Sequence, residues 1–147
     1  FFLFKIRQAF FLQFGYPGEE KEDIEKTIQT VLDLMPDEIG ISVSYPLPGT
    51  KFYENVKDQL KQKANWTDSD ELALMFRNTF PPAYYKRLHR YVHKVYKKKA
   101  GVISIKNILL NPFAISYKKL RAALLTCYYI PSSILDSFHL KKLENTE

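Results

Sequence analysis

The spacing of apolar residues changes repeatedly along the chain, and each change marks an element. Phe10 to Phe14 reads Phe-Phe-Leu-Gln-Phe and is cut by Gly15-Tyr16-Pro17-Gly18, the pattern of a short strand buried on both faces. An acidic lead-in, Glu19-Glu20-Lys21-Glu22-Asp23, suits the positive end of a helix. Ile24, Ile28, Val31, Leu32 and Met35 then share one helical face, and Pro36 ends the run. From Glu38 to Tyr45 the period falls to two: Ile39, Ile41, Val43 and Tyr45 alternate with Gly40, Ser42 and Ser44. The β-branched face suits helices packed against it. The small-residue face, pointing into a β/α barrel, would leave space in the lumen. Pro46-Leu47-Pro48-Gly49-Thr50 turns the chain into a short helical pattern through Phe52, Val56 and Leu60. Strand, helix, strand, helix in that order predicts an α/β protein with a parallel sheet.

Past Leu60 the pattern becomes helical. Asn65 to Asp70 is polar, and Asp68 or Ser69 is placed to cap a helix over Leu72 to Phe76. Pro81 and Pro82 open a helix from Tyr84 to Ala100, with Gly101 as its expected stop. Two further helices are predicted, from Ile103 to Leu110 and from Ser116 to Tyr129, punctuated by Pro112 and Pro131. The chain divides accordingly into 1–62, with two strand–helix units; 63–101, with the basic helix; and a helical tail, 102–147.

Composition narrows this picture only slightly. In 147 residues, 46% hydrophobic content suffices for one core, and 15% aromatic content argues against disorder. A formal charge of +6 permits nucleic acid, a membrane surface or an acidic protein domain as partner and selects none of them. The single cysteine, Cys127, excludes an internal disulfide or a four-thiolate metal site and is compatible with a cytoplasmic location. Leu120 to Ile130 carries Arg121 and ends at Pro131, too short for a transmembrane segment. The chain opens in mid-run at Phe1-Phe2-Leu3-Phe4 without a methionine, so it is expected to be a fragment.

Several side-chain groups invite chemistry. His89 and His93 share a helix face at zinc-binding spacing, but Arg90 stands where a metalloprotease has glutamate, which favours a surface pair. Asp68, Asp70 and Glu71 cluster, as charges at a helix start do. Cys127 lies in an apolar stretch and reads as a buried small hydrophobe. Helix 84–99 interleaves Tyr84, Tyr85, Tyr91 and Tyr96 with lysine and arginine; it is either a solvated or docked face, or a binding surface for nucleic acid or an anionic membrane.

Two motifs occupy the same place, the turn after a parallel strand: Phe14-Gly15-Tyr16-Pro17-Gly18-Glu19 and Ser44-Tyr45-Pro46-Leu47-Pro48-Gly49-Thr50. Ligands of α/β sheets bind at that end. With Asp37 to Ser44, Asn65-Trp66, Met75-Phe76-Arg77 and Tyr84 to His93, the two motifs resemble radical S-adenosylmethionine (SAM) enzymes of the cobalamin-binding type, the group that contains the anaerobic magnesium-protoporphyrin ester cyclases. The resemblance covers roughly residues 8 to 97. It implies the last two units of a partial (β/α)6 radical SAM barrel followed by an α-helical tail. It also implies SAM contacts at Gln13, Phe14, Gly15, Tyr16 and Pro17 after one strand and at Ser44, Tyr45 and Pro46 after the other. The family further uses a 4Fe–4S cluster held by Cys-x-x-x-Cys-x-x-Cys, and in this group cobalamin, to modify a small organic substrate. That loop is absent here, so the chain alone is expected to be inactive. Its expected partners are the first barrel half and a cobalamin-binding domain, with no nucleic acid. Two strand–helix units also leave both sheet edges open to association.

Overall fold

The computed structural model describes residues 6–60 and 76–145. Strand β1 (Ala9–Phe14), helix α1 (Lys21–Leu34) and strand β2 (Glu38–Val43) form a β-α-β unit. The two strands pair in parallel, with Phe10 opposite Ile39, Leu12 opposite Ile41 and Phe14 opposite Val43. Because side chains alternate along a strand, this register gathers those six residues on one face. The other face carries Phe11 beside Gly40 and Gln13 beside Ser42.

Among the described residues, helices cover only the first face. The core joins Leu12 and Phe14 to Ile24 and Val31 of α1 and to Tyr84, Tyr85, Leu88 and Val92 of helix α3 (Pro82–Leu110). The expectation that β1 is buried on both faces is therefore wrong: Phe11 is 69% exposed. An apolar run satisfies either reading, and only the neighbours decide between them.

Local chemistry sets the ends of the first helices. The Glu20 N–H donates to the Asp23 carboxylate at 3.2 Å, which holds the entry to α1. At its other end Met35 takes a left-handed conformation (φ 45°) directly before Pro36. Thr50 caps helix α2 (Lys51–Val56) by accepting the Tyr53 N–H at 3.1 Å. A 3-10 turn, Lys57–Gln59, follows.

The rest is an antiparallel pair of long helices, α3 and α4 (Tyr117–Glu144), joined through a 3-10 turn at Pro112–Ala114. With 29 residues, α3 is about 44 Å long at 1.5 Å per residue. Two expected stops are overridden. Gly101 does not end α3, because α4 packs directly on it: a β-carbon there would stand 1.9 Å from Thr126 Oγ1 and 2.7 Å from the Ala122 carbonyl oxygen. Pro131 does not end α4 either. Proline removes one N–H from the ladder, a loss that packing along a 28-residue helix sustains. Helix α3 thus runs through the expected division at 101/102.

The inward stripe of α4 is polar or small. Thr126, Ser133 and Asp136 are buried against α3, and only Leu140 among its buried residues is aliphatic. Asp136 is the anchor: its Oδ1 accepts from Arg87 at 2.8 Å and its Oδ2 from Lys94 at 2.6 Å. Part of the basic face of α3 is thereby neutralised by the protein's own tail. Lys21 pairs with Glu144 at 2.7 Å and Lys99 with Asp33 at 3.6 Å, linking α1 to the hairpin. Tyr96 also donates its hydroxyl to the Pro36 carbonyl.

Candidate functional site

The carboxyl ends of β1 and β2 lie side by side and their turns are stitched together. The Ser44 N–H donates to the Phe14 carbonyl at 2.6 Å, extending the strand pairing by one bond. The Tyr16 ring, from the first turn, meets Phe52 of α2 at 4.9 Å, and Phe52 meets Phe76 edge-on at 5.2 Å.

Within this arrangement the eight expected site residues fall into two sets. Phe14, Gly15, Ser44 and Pro46 are buried. The Phe14 side chain, 2% exposed, points into the helix-covered core, so its ring is framework and only its backbone faces the strand end. Gln13 and Tyr16 are exposed, while Pro17 and Tyr45 are half-buried. Gln13 stands beside Ser42 on the open face of the sheet. Ligand contact by side chain is therefore open to Gln13, Tyr16 and Tyr45, with the buried four fixing the turns.

Glu19, quoted in the first motif without a role, closes that turn. Gly15 adopts φ 79°, a conformation that disfavours any residue with a β-carbon. Its N–H donates to Glu19 Oε2 at 2.7 Å, and the Glu19 N–H returns to the Tyr16 carbonyl at 2.9 Å. Burial pushes the Glu19 carboxyl above its ordinary value; the Gly15 N–H works against that shift and Asp23 adds to it. The sequence signal was the four-residue spacing from a turn glycine to a carboxylate. The Gly15 N–H is therefore engaged within the turn by Glu19.

The remaining candidates are placed differently. Cys127 is exposed on α4, correcting its reading as a buried hydrophobe: its neighbour Thr126 takes the inward position. His89 and His93 stack edge to face at 4.7 Å. Burial pushes the His93 imidazole down, and His89 and Lys97 push it further. Among the described residues no group of three His, Cys, Asp or Glu could hold a metal ion. The lone thiol on the outer helix does not match the donor set of an iron–sulfur cluster. Asp68, Asp70, Glu71, Trp66 and Met75 lie outside the described residues, as does the proposed 72–76 helix up to Phe76. Tyr84, Tyr85 and Tyr91 of the basic helix belong to the core or pack on it, and burial raises all three phenols. Tyr84 and Tyr85, each 2% exposed, are unavailable for stacking on bases.

Two grooves lie away from the strand ends. One, of about 370 Å³, runs between α1, α3 and α4 past Ile28, Tyr91 and Leu140. The other, of about 410 Å³, is lined by His89, Arg90, His93, Lys94, Lys97, Tyr128 and Tyr129. No described helix is long and apolar enough to cross a membrane. No family model matches the chain, and no curated protein matches it.

Proposed function

We propose that the chain is the closing, C-terminal end of a radical SAM barrel in a larger enzyme of the cobalamin-binding type. One observation carries the reading. Among the described residues, helices cover two adjacent parallel strands on one face only, and the other face carries Gln13, Gly40 and Ser42 around an exposed Phe11. A barrel lumen is one environment in which a sheet face of small and polar residues around one aromatic belongs.

On this reading the exposed pair Gln13 and Tyr16 serves the adenine of SAM. The amide offers a donor and an acceptor to the base edge, and the ring offers a flat apolar surface. Phe14, Gly15, Ser44 and Pro46 hold the two turns in place, and Tyr45 flanks them. The cluster, the cobalamin and most of the substrate pocket belong to the first barrel half and its attached domain. When bound, the cluster would supply the electron that splits SAM. On this reading the strand-end residues of this chain bind and orient the cofactor, and selectivity for the organic substrate comes largely from the other segments.

The coding region is the first test. The reading requires a Cys-x-x-x-Cys-x-x-Cys loop in frame upstream of Phe1. A contiguous frame without one would reduce the chain to a remnant that has kept the architecture and lost the chemistry.

A further inference from the structure

Helix α4 is inverted for a helix in water. Its inward stripe is Thr126, Ser133 and Asp136, while Leu124, Tyr128, Leu135 and Phe138 are 58–67% exposed. It packs on α3 through a glycine against a threonine, Gly101 on Thr126, with no room for a β-carbon between them. Small residues between helices and apolar residues outside are the arrangement that helices adopt where the surroundings are lipid.

The inversion is most complete toward the tip. None of the described side chains from 102 to 125 is buried. Leu109 is 77% exposed, Leu110 72%, Phe113 100% and Tyr117 81%, four large apolar side chains exposed within nine residues of the turn. Lys106, Lys118, Lys119 and Arg121 are interspersed with them, and no acidic residue occurs between Glu71 and Asp136. A second copy docking tip to tip would set these cations against one another. An anionic bilayer would meet the apolar ends with acyl chains and the cations with phosphate.

We infer that the α3–α4 tip is a membrane-docking device for an anionic lipid surface. Leu109, Leu110, Phe113 and Tyr117 enter the interface, and Lys106, Lys118, Lys119 and Arg121 reach the headgroups along their aliphatic stems. The hairpin dips into one leaflet and does not cross, in keeping with the absence of a spanning helix among the described residues. This does not depend on the radical SAM reading and places the surface beyond helix 84–99.

The test is flotation of the full chain with vesicles of phosphatidylglycerol and phosphatidylcholine, against phosphatidylcholine alone. Four cations near the surface predict at least about a tenfold preference for the anionic vesicles at low salt, shrinking as salt rises. Phe113→Glu combined with Leu109→Glu removes the binding while the thermal melt stays unchanged, since both positions are solvent-facing. A Phe113→Trp reporter in a Trp66→Phe background shifts its emission to the blue on anionic vesicles and is quenched by brominated lipid. Equal or absent flotation on the two vesicle types would overturn the inference. So would a reporter that is already shielded without lipid through self-association, or short nucleic acid binding where vesicles do not.

Discussion

The Phe11 ring lies against Gly40: a β-carbon on that glycine would stand 2.8 Å from Phe11 Cδ2. The two residues are register partners, so the small residue on β2 makes room for the large one on β1. Phe11 is 69% exposed, and its ring can swing aside. Gly40→Ala should therefore be near neutral, because a displaced exposed ring offsets the roughly 0.5–1 kcal/mol that alanine gains over glycine in a strand. A thermal melt checks this.

Gly101→Ala should behave in the opposite way. The new methyl overlaps Thr126 Oγ1 and the Ala122 carbonyl, neither of which can yield without separating α3 from α4. A loss of about 1–3 kcal/mol is expected in chemical denaturation, despite alanine's higher helix propensity. Thr126→Ala in the same chain should restore part of it, a coupling that a double-mutant cycle measures.

The contrast between these glycines shows what the sequence made legible. The β-α-β unit was readable because alternation at 39–45 and helical spacing at 24–35 are local signals. The long helices were not, because Gly101 and Pro131 carry the same local chemistry whether they stop a helix or are packed inside one. Asp136 held an unused clue, as the first acid after a long basic stretch, but its partners Arg87 and Lys94 lie 49 and 42 residues away. Cys127 was misplaced because α4 hides its polar stripe, the reverse of the pattern that sequence reading assumes. At the candidate site the positions of the turns were legible. The alternation of a strand already sets Gln13 and Phe14 on opposite faces; that Phe14's face is the helix-covered one was visible only in three dimensions.

Asp136→Asn should destabilise the hairpin. It leaves Arg87 and Lys94 without their carboxylate in a site where Asp136 itself is 2% exposed. The loss should be roughly 2 kcal/mol or more, short of the ~3–5 kcal/mol of a fully buried pair because both cations keep some contact with water. Burial alone would push the Asp136 carboxyl up, but hydrogen bonds from Lys94 and Arg87 outweigh it and hold it below 3.8. A depressed carboxyl contributes stability above its unfolded value and loses it as pH falls through its folded one. Wild-type stability should thus fall below about pH 4 more steeply than that of Asp136→Asn, as denaturant midpoints measured against pH would show.

His93 titrates in a separate window. Burial first, then His89 and Lys97, hold its folded value below 6.5. The unfolded chain takes the proton first, so stability present above pH 6.5 is lost as pH drops from there toward the folded value. His93→Gln should flatten that segment and leave the Asp136 segment intact.

Cys127 should react readily with a thiol reagent in the folded chain, at close to the rate in denaturant, because it is exposed on α4. Strong native protection would mean that α4 is rotated or covered.

The reading of the strand ends as half of a SAM site meets its most direct test in the longer in-frame protein, reconstituted anaerobically with iron and sulfide and given SAM and a reductant. Formation of 5′-deoxyadenosine is predicted, with Gln13→Ala and Tyr16→Ala each raising the KM for SAM; the melt stays at its wild-type position for Gln13→Ala and falls slightly for Tyr16→Ala, which loses its contact with Phe52. No SAM cleavage by a correctly folded, cluster-loaded protein, or a KM indifferent to both substitutions, would contradict it.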